Sequence, residues 1–323
     1  MSAAAEFDQP PPQSSAPAGL TIAVVGPTAV GKSALAIDLA HALGGEVINA
    51  DSMQLYQGMD IGTAKVTAAQ MQSIPHHLLD VWPVTQTASV ATYQELARAT
   101  IAQIHARGKA AILVGGSGLY VRAALDDLEF PGVSPIVRAK LEVEAEQLGT
   151  AALFDRLLAT DPLAATAIGP DNVRKIIRAL EVVELKGSFS ATLPTYTYLI
   201  PAIQIGVTMP RPVLDERIAQ RVEAMFADGL VDEVRALLDL GLRDGVTASK
   251  ALGYAQVIEF LDGQLSLDQA HTLTAATTRR FVRRQESWFN RDPRIAWLSG
   301  QAPGQLMTQA QSLIAQFSPT IKG

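Results

Sequence analysis

Short apolar runs alternate with longer stretches of helical spacing over the first 125 residues. Residues 20–25 (LTIAVV) and 110–114 (AAILV) are apolar without alternation, as strands covered on both faces are. Residues 46–50 (EVINA) predict another strand, and residues 76–81 (HHLLDV) a further one. Residues 32–43 predict a helix stopped by Gly44 and Gly45, and residues 89–106 predict an amphipathic helix. Strands alternating with helices predict an α/β fold around a doubly wound parallel sheet with right-handed crossovers.

The pattern changes near residue 126. Strand-like runs vanish, and residues 134–148, 150–160 and 172–185 predict helices, so residues 126–199 read as a helical insertion. Residues 203–209 (IQIGVTM) return to the sheet. Helices are expected over 211–227, 231–240, 251–262 and 266–290, then a short strand over 295–298. The core is therefore expected from residues 20–125 and 200–300. Residues 301–323 read as a C-terminal tail without a pattern. Residues 1–19, rich in Ala, Pro and Ser, read as a disordered tail.

Composition narrows the class. The 323 residues are 48% hydrophobic and 18% charged, which suits a globular protein of about two domains. There is no cysteine, so disulfides, thiolate zinc sites and a cysteine nucleophile are excluded. The N-terminal stretch lacks a basic start and an apolar core, and no apolar run approaches the ~20 residues of a membrane helix. The cytoplasm is the expected location. A net charge of −6 hides a local excess. Arg279, Arg280, Arg283, Arg284, Arg291 and Arg294 crowd into one stretch whose acids are Glu286 and Asp292, a strip able to meet phosphates.

Candidate chemistry begins after the first strand. Gly26, Pro27, Thr28, Ala29, Val30, Gly31, Lys32 and Ser33 match G-x-x-x-x-G-K-[ST] between a strand and a helix. Such a loop folds its N–H groups around phosphate oxygens, with Lys32 as a point charge and the Ser33 hydroxyl as a Mg²⁺ ligand. Asp51 and Ser52 follow the second strand, where ligands of open α/β sheets bind. Asp51 is either a functional carboxylate or a turn cap. Gly115, Gly116, Ser117 and Gly118 close the 110–114 strand, as a second phosphate-side loop or as a plain turn. Arg217 and Arg221, four apart on a helix, suit a diphosphate, or else a solvated face with Glu216 and Glu223. Phe281 and Trp288 interleave with the arginines, for stacking on bases or for the core. His76 and His77 lack partners at ligand spacing and read as structural.

Together the segments GPTAVGKSALAIDLA, INADSMQLYQGMDIGTAK, PHHLLD, LVGGSGLYVRAAL, RIAQRVEAMFADGLVDEV, KALGYAQ and RRFVRRQESWF strongly resemble the tRNA dimethylallyltransferase (tRNA isopentenyltransferase) family, from about residue 20 to residue 298. The resemblance implies a P-loop nucleotide-kinase-like core with a helical insertion that grips the anticodon stem. It implies transfer of a dimethylallyl group from dimethylallyl diphosphate to N6 of the adenosine 3′ of the anticodon, in tRNAs reading codons that begin with U. In that likeness Asp51 is the general base, and Lys32, the loop amides, Mg²⁺ on Ser33, and Arg221 neutralise the leaving pyrophosphate, with Ser117 beside the transfer site. Ser52, Met53 and Gln54 match the segment lining the base pocket. Arg174, Lys175 and Arg178 match a tRNA-contacting helix. Lys250, Gly253 and Tyr254, and Arg279, Arg280, Arg283 and Arg284, match further RNA-contacting stretches. Ser33 and Ser117 stand where many members have Thr, which keeps the hydroxyl. Ala255 replaces an Arg of some members, which puts one RNA contact in question. The expected partners are the tRNA anticodon stem-loop and dimethylallyl diphosphate, with Mg²⁺ as cofactor, no membrane, no obligate protein partner, and a monomer. The competing expectations are an NTP-dependent small-molecule kinase, an adenylate isopentenyltransferase and a non-catalytic RNA-binding module.

Overall fold

The apolar runs pair side by side into one sheet in the order β3-β2-β4-β1-β5-β6, every pairing parallel. The structure, a computed structural model, describes residues 19–189 and 196–317. The expected tail over residues 1–19 lies, except for Gly19, outside the described residues. The strands are β1 (Thr21–Val25), β2 (Glu46–Asn49), β3 (His76–His77), β4 (Ala111–Gly115), β5 (Ile203–Thr208) and β6 (Ile295–Ser299). β1 is central, with Val24 opposite Val114 on one side and Ile205 on the other. Helices cover both faces, so all of β1 is buried, which is why its sequence is apolar throughout.

The chain crosses between strands through α1 (Lys32–Leu43), α2 (Ala68–Met71), α3 (Val90–Ala106) and α4 (Gly118–Leu125). After β5 come α8 (Arg211–Ala227), α9 (Leu230–Asp239), α10 (Tyr254–Leu261) and α11 (Leu267–Phe289). α11 starts at a reciprocal cap: Ser266 Oγ accepts from Gln269 N, and Ser266 N donates to Gln269 Oε1. Two expectations are corrected. β3 stops after two residues, because Leu78 and Asp80 take left-handed backbone (φ 60° and 55°) and turn the chain away from the sheet. The patternless tail contains α12 (Pro303–Phe317), whose Leu306, Ala310 and Ile314 are buried in the same core as β1 and α1.

Asp127–Thr197 forms a compact unit of its own. It holds α5 (Pro135–Thr160), interrupted where Gly149 leaves helical geometry, then α6 (Pro162–Ile168) and α7 (Val173–Lys186). α6, capped by Asp161, was not legible as a separate helix in the sequence. The unit has its own core, including Leu141, Leu153, Leu157, Ile176 and Leu180. Among the described residues no helix is long and apolar enough to cross a membrane.

Candidate functional site

The site starts in the loop from β1 to α1. Lys32 Nζ donates to the Pro27 carbonyl at 2.6 Å, folding the loop over the lysine. Ala29 sits at φ 68°, a strained setting for a residue with a Cβ. Burial pushes the Lys32 ammonium down to about 7, against the Asp51 carboxylate, which favours the charge, while Arg221 opposes it. Arg221 reaches in from α8 and donates to Thr28 Oγ1 at 2.8 Å. Burial lowers its guanidinium from the usual range, and Asp51 partly offsets this. Lys32, Ser33, Asp51, Gln54 and Arg221 line one cavity of about 230 Å³ beneath the loop.

Asp51 is held from both sides. Its N–H donates to Asn49 Oδ1 at 2.8 Å, and its Oδ1 accepts from Met53 N at 2.9 Å. Its Oδ2 accepts no hydrogen bond among the described residues. Ser117, at the start of α4, accepts from Ser52 N at 3.1 Å and donates to Ser52 Oγ at 3.2 Å, tying the ends of β2 and β4 together. Asp51, Ser52, Met53, Ser117 and Arg221 also line a second cavity of about 280 Å³, closed by Met225, Lys250, Phe281 and Arg284. Thr28, Asp51, Thr63 and Arg221 belong to both cavities.

The remaining expected residues divide. Arg280, Arg283 and Arg284 are exposed on α11, and Arg279 is half-buried there. None of the four forms an ion pair among the described residues, and Arg284 lies 5.7 Å from the Phe281 ring centre. Arg217 does not share the role of Arg221, since its Nη1 reaches only the Ala29 carbonyl at 3.5 Å. Arg174 and Lys175 are exposed on α7. Arg178, on the same helix, is half-buried; it pairs with the fully buried Glu181 and donates to the carbonyls of Pro131 and Gly132. Tyr254 is fully buried, and its hydroxyl donates to Glu233. Gly253 adjoins it and donates to Gln256 Oε1. His77 Nε2 lies 2.7 Å from Glu46 Oε2, a structural pairing that sequence spacing could not reveal.

Sequence reasoning missed Gln285. It is buried on α11, accepts from Thr28 N at 3.1 Å and donates to the Gly116 carbonyl at 3.0 Å. A Cβ on Gly116 would lie 2.3 Å from Gln285 Nε2, so a larger residue there would displace the Gln285 amide. Gln285 thus fastens the arginine-bearing helix to the lysine loop.

A lysine loop between a buried strand and a helix, with paired cavities at the carboxyl ends of a parallel sheet, defines a P-loop-like α/β protein. Residues 54–292 match the IPP transferase family. The tRNA dimethylallyltransferase of Thermobifida fusca (strain YX) is 60% identical over 303 residues, 92% of this chain and 95% of its own length. That of Salinispora arenicola (strain CNS-205) is 61% identical over 288 residues, 89% of this chain and 84% of its own. The crystal structure of the tRNA isopentenylpyrophosphate transferase from Bacillus halodurans matches with a TM-score of 0.69 at 39% identity, over 94% of this chain and 100% of that one. The chain belongs to the IPP transferase family.

Proposed function

We propose that the protein transfers the dimethylallyl group of dimethylallyl diphosphate to N6 of the adenosine 3′ of the anticodon, in tRNAs reading codons that begin with U. The products are N6-dimethylallyladenosine and pyrophosphate. The observation that carries the reading is that Asp51 and Arg221 border both cavities, so a base and a cation meet where two substrates can face each other. The high identity to enzymes named for this activity supports it across most of the chain.

The chemistry assigned to the residues is a displacement. The C1–O bond of the donor breaks as the adenine N6 lone pair forms a bond to C1. The N6 proton passes to the Asp51 carboxylate, and the electron pair leaves with pyrophosphate. Asp51 is suited to this role because Asn49 and Met53 fix its orientation while Oδ2 stays open. Lys32, Arg221 and the loop N–H groups offset the charge that grows on the leaving group. Ser117 orients Ser52 and the turn that carries Asp51. The adenine would enter the 280 Å³ cavity after leaving its stack, against Met53 and Phe281.

A Mg²⁺ ion fits the donor set. Ser33 offers a hydroxyl in the same cavity as Asp51, and the described residues contain no cluster of three His, Asp or Glu side chains to hold a metal alone. That suits an ion held mainly by substrate phosphates and water. When bound, it would withdraw charge from the diphosphate. A tRNA substrate places the working enzyme in the cytoplasm, and we take the working unit to be a monomer. Nothing in the site favours the small-molecule kinase or the adenylate acceptor.

The test is incubation with labelled dimethylallyl diphosphate and, separately, bulk tRNA, AMP or ADP. Label should enter tRNA alone; transfer to AMP or ADP instead would refute the acceptor. Asp51→Ala should slow transfer by about 10²–10⁴-fold. Its tRNA affinity should stay within about threefold, whereas equal losses of affinity and rate would make Asp51 a binding residue and not a base.

A further inference from the structure

The two cavities share a wall. Thr63 lines both, Gly62 lines the larger and Ala64 the smaller. These residues belong to the loop over residues 60–64 (DIGTA), which is neither helix nor strand but a turn, with Ala64 N donating to the Ile61 carbonyl at 3.0 Å and Lys65 N to the Asp60 carbonyl at 2.9 Å. What ties this turn to the rest of the core at its first three N–H groups is one carboxylate from the first turn of α9. Glu233 Oε2 accepts from Asp60 N at 3.2 Å and from Ile61 N at 2.7 Å. Glu233 Oε1 accepts from Gly62 N at 3.2 Å and from the Tyr254 hydroxyl at 2.5 Å.

Glu233 itself lines neither cavity. The loop is pressed onto the Tyr254 ring from the other side: a Cβ on Gly62 would come within 2.4 Å of Tyr254 Cε2. Gln54 Nε2 donates to the Thr63 carbonyl at 3.1 Å, holding the far end. Three distant segments of the sequence, DIGTAK, GLVDEV and GYAQ, therefore meet at this one side chain. Hydrogen bonds to an ionised acceptor are stronger and better defined than neutral ones. A carboxylate that takes three consecutive N–H groups and a buried hydroxyl is a stiff support, and it fixes the turn as a unit against α9 and Tyr254.

We propose that Glu233 is a positioning residue for the transfer reaction, setting the loop over residues 60–64 so that the two substrates meet at reacting distance. The proposal rests on the reading of the paired cavities as the transfer site. It goes beyond that reading by assigning the alignment to a residue outside both cavities. Misplacing a reacting group by about 1 Å costs on the order of 10²-fold in rate, so a loosened wall should act on turnover more than on binding.

The test is Glu233→Gln, which puts an amide NH₂ where donors now point. Single-turnover transfer at saturating tRNA and dimethylallyl diphosphate should fall about 10–100-fold. The KM for each substrate and the Kd for tRNA should stay within about threefold, and amide exchange at residues 60–62 should quicken. A rate within about twofold of the parent, in folded protein, overturns the proposal. If Glu233→Gln does not fold, Tyr254→Phe decides, since it removes one of the four bonds and keeps the ring. A two- to fivefold fall in kcat at unchanged KM, about what losing one bond gives, supports the positioning role; an unchanged kcat overturns it. Asp51→Ala run in parallel separates the two claims. Transfer surviving in Asp51→Ala refutes the transfer site itself, whereas loss there beside full rates in the Glu233 and Tyr254 variants refutes only the positioning.

Discussion

Lys32 carries its charge where burial opposes it. Its ammonium is pushed down to about 7, yet a diphosphate needs it protonated. A bound dianion must raise that value again, so binding takes up a proton wherever the free protein has lost one. Affinity for dimethylallyl diphosphate should therefore weaken as pH rises through about 7. Calorimetry in buffers of different ionisation enthalpy should find proton uptake near zero at about pH 6 and approaching one at about pH 8, and Lys32→Arg should abolish the difference. Uptake that does not change with pH would place the titration elsewhere. Lys32 and Asp51 were legible in the sequence because their signatures are local: a loop of eight residues, and an acid directly after a strand. Gln285 and Glu233 were not, because the loops they hold lie 169–257 and 171–173 positions away in the chain. Only the closed fold brings them together.

At the scale of elements, α11 joins two functions. Its buried face, with Val282, Gln285 and Phe289, packs into the core and locks onto the lysine loop, while Arg280, Arg283 and Arg284 face outward. The helical spacing made this helix readable, and the arginines marked its open face. The double variant Arg283→Ala, Arg284→Ala should weaken tRNA binding and flatten the plot of log affinity against log salt by about 1–2 units. An unflattened plot would remove these two residues from the phosphate interface. Gln285→Ala should act differently: transfer falls while the salt dependence stays, since the arginines remain and only the fastening to Thr28 and Gly116 is lost. The elements that were misread had weak local signals. β3 is two residues long, and α12 carries its core contacts at Leu306, Ala310 and Ile314 amid polar neighbours.

For the whole molecule, the alternation of strands and helices disclosed the fold class, but the strand order could not be read. It depends on which crossover passes which strand, and parallel strands leave no local mark of their neighbours. The edge of the sheet opposite the site shows how distant parts are then fixed. Glu46, at the start of β2, is buried and takes hydrogen bonds from Arg107 after α3 and from Lys109 before β4, with His77 of β3 beside it. Burial pushes its carboxyl up, but Arg107, Lys109 and His77 outweigh this and hold it at about 2, below the ordinary 4.5. A carboxyl depressed by folding stabilises the fold at pH values above its ordinary range and loses that contribution as pH falls from 4.5 towards 2. Glu46→Gln should therefore lower the melting temperature by about 4–8 °C near neutral pH, because three donors lose their anion. The gap to the parent should narrow steadily as pH falls from about 4.5 towards 2, where the unfolded parent's carboxyl is protonated while the folded one still holds its charge. A gap that stays constant across that range would mean that Glu46 supports the sheet through shape and neutral hydrogen bonds and that its charge contributes nothing.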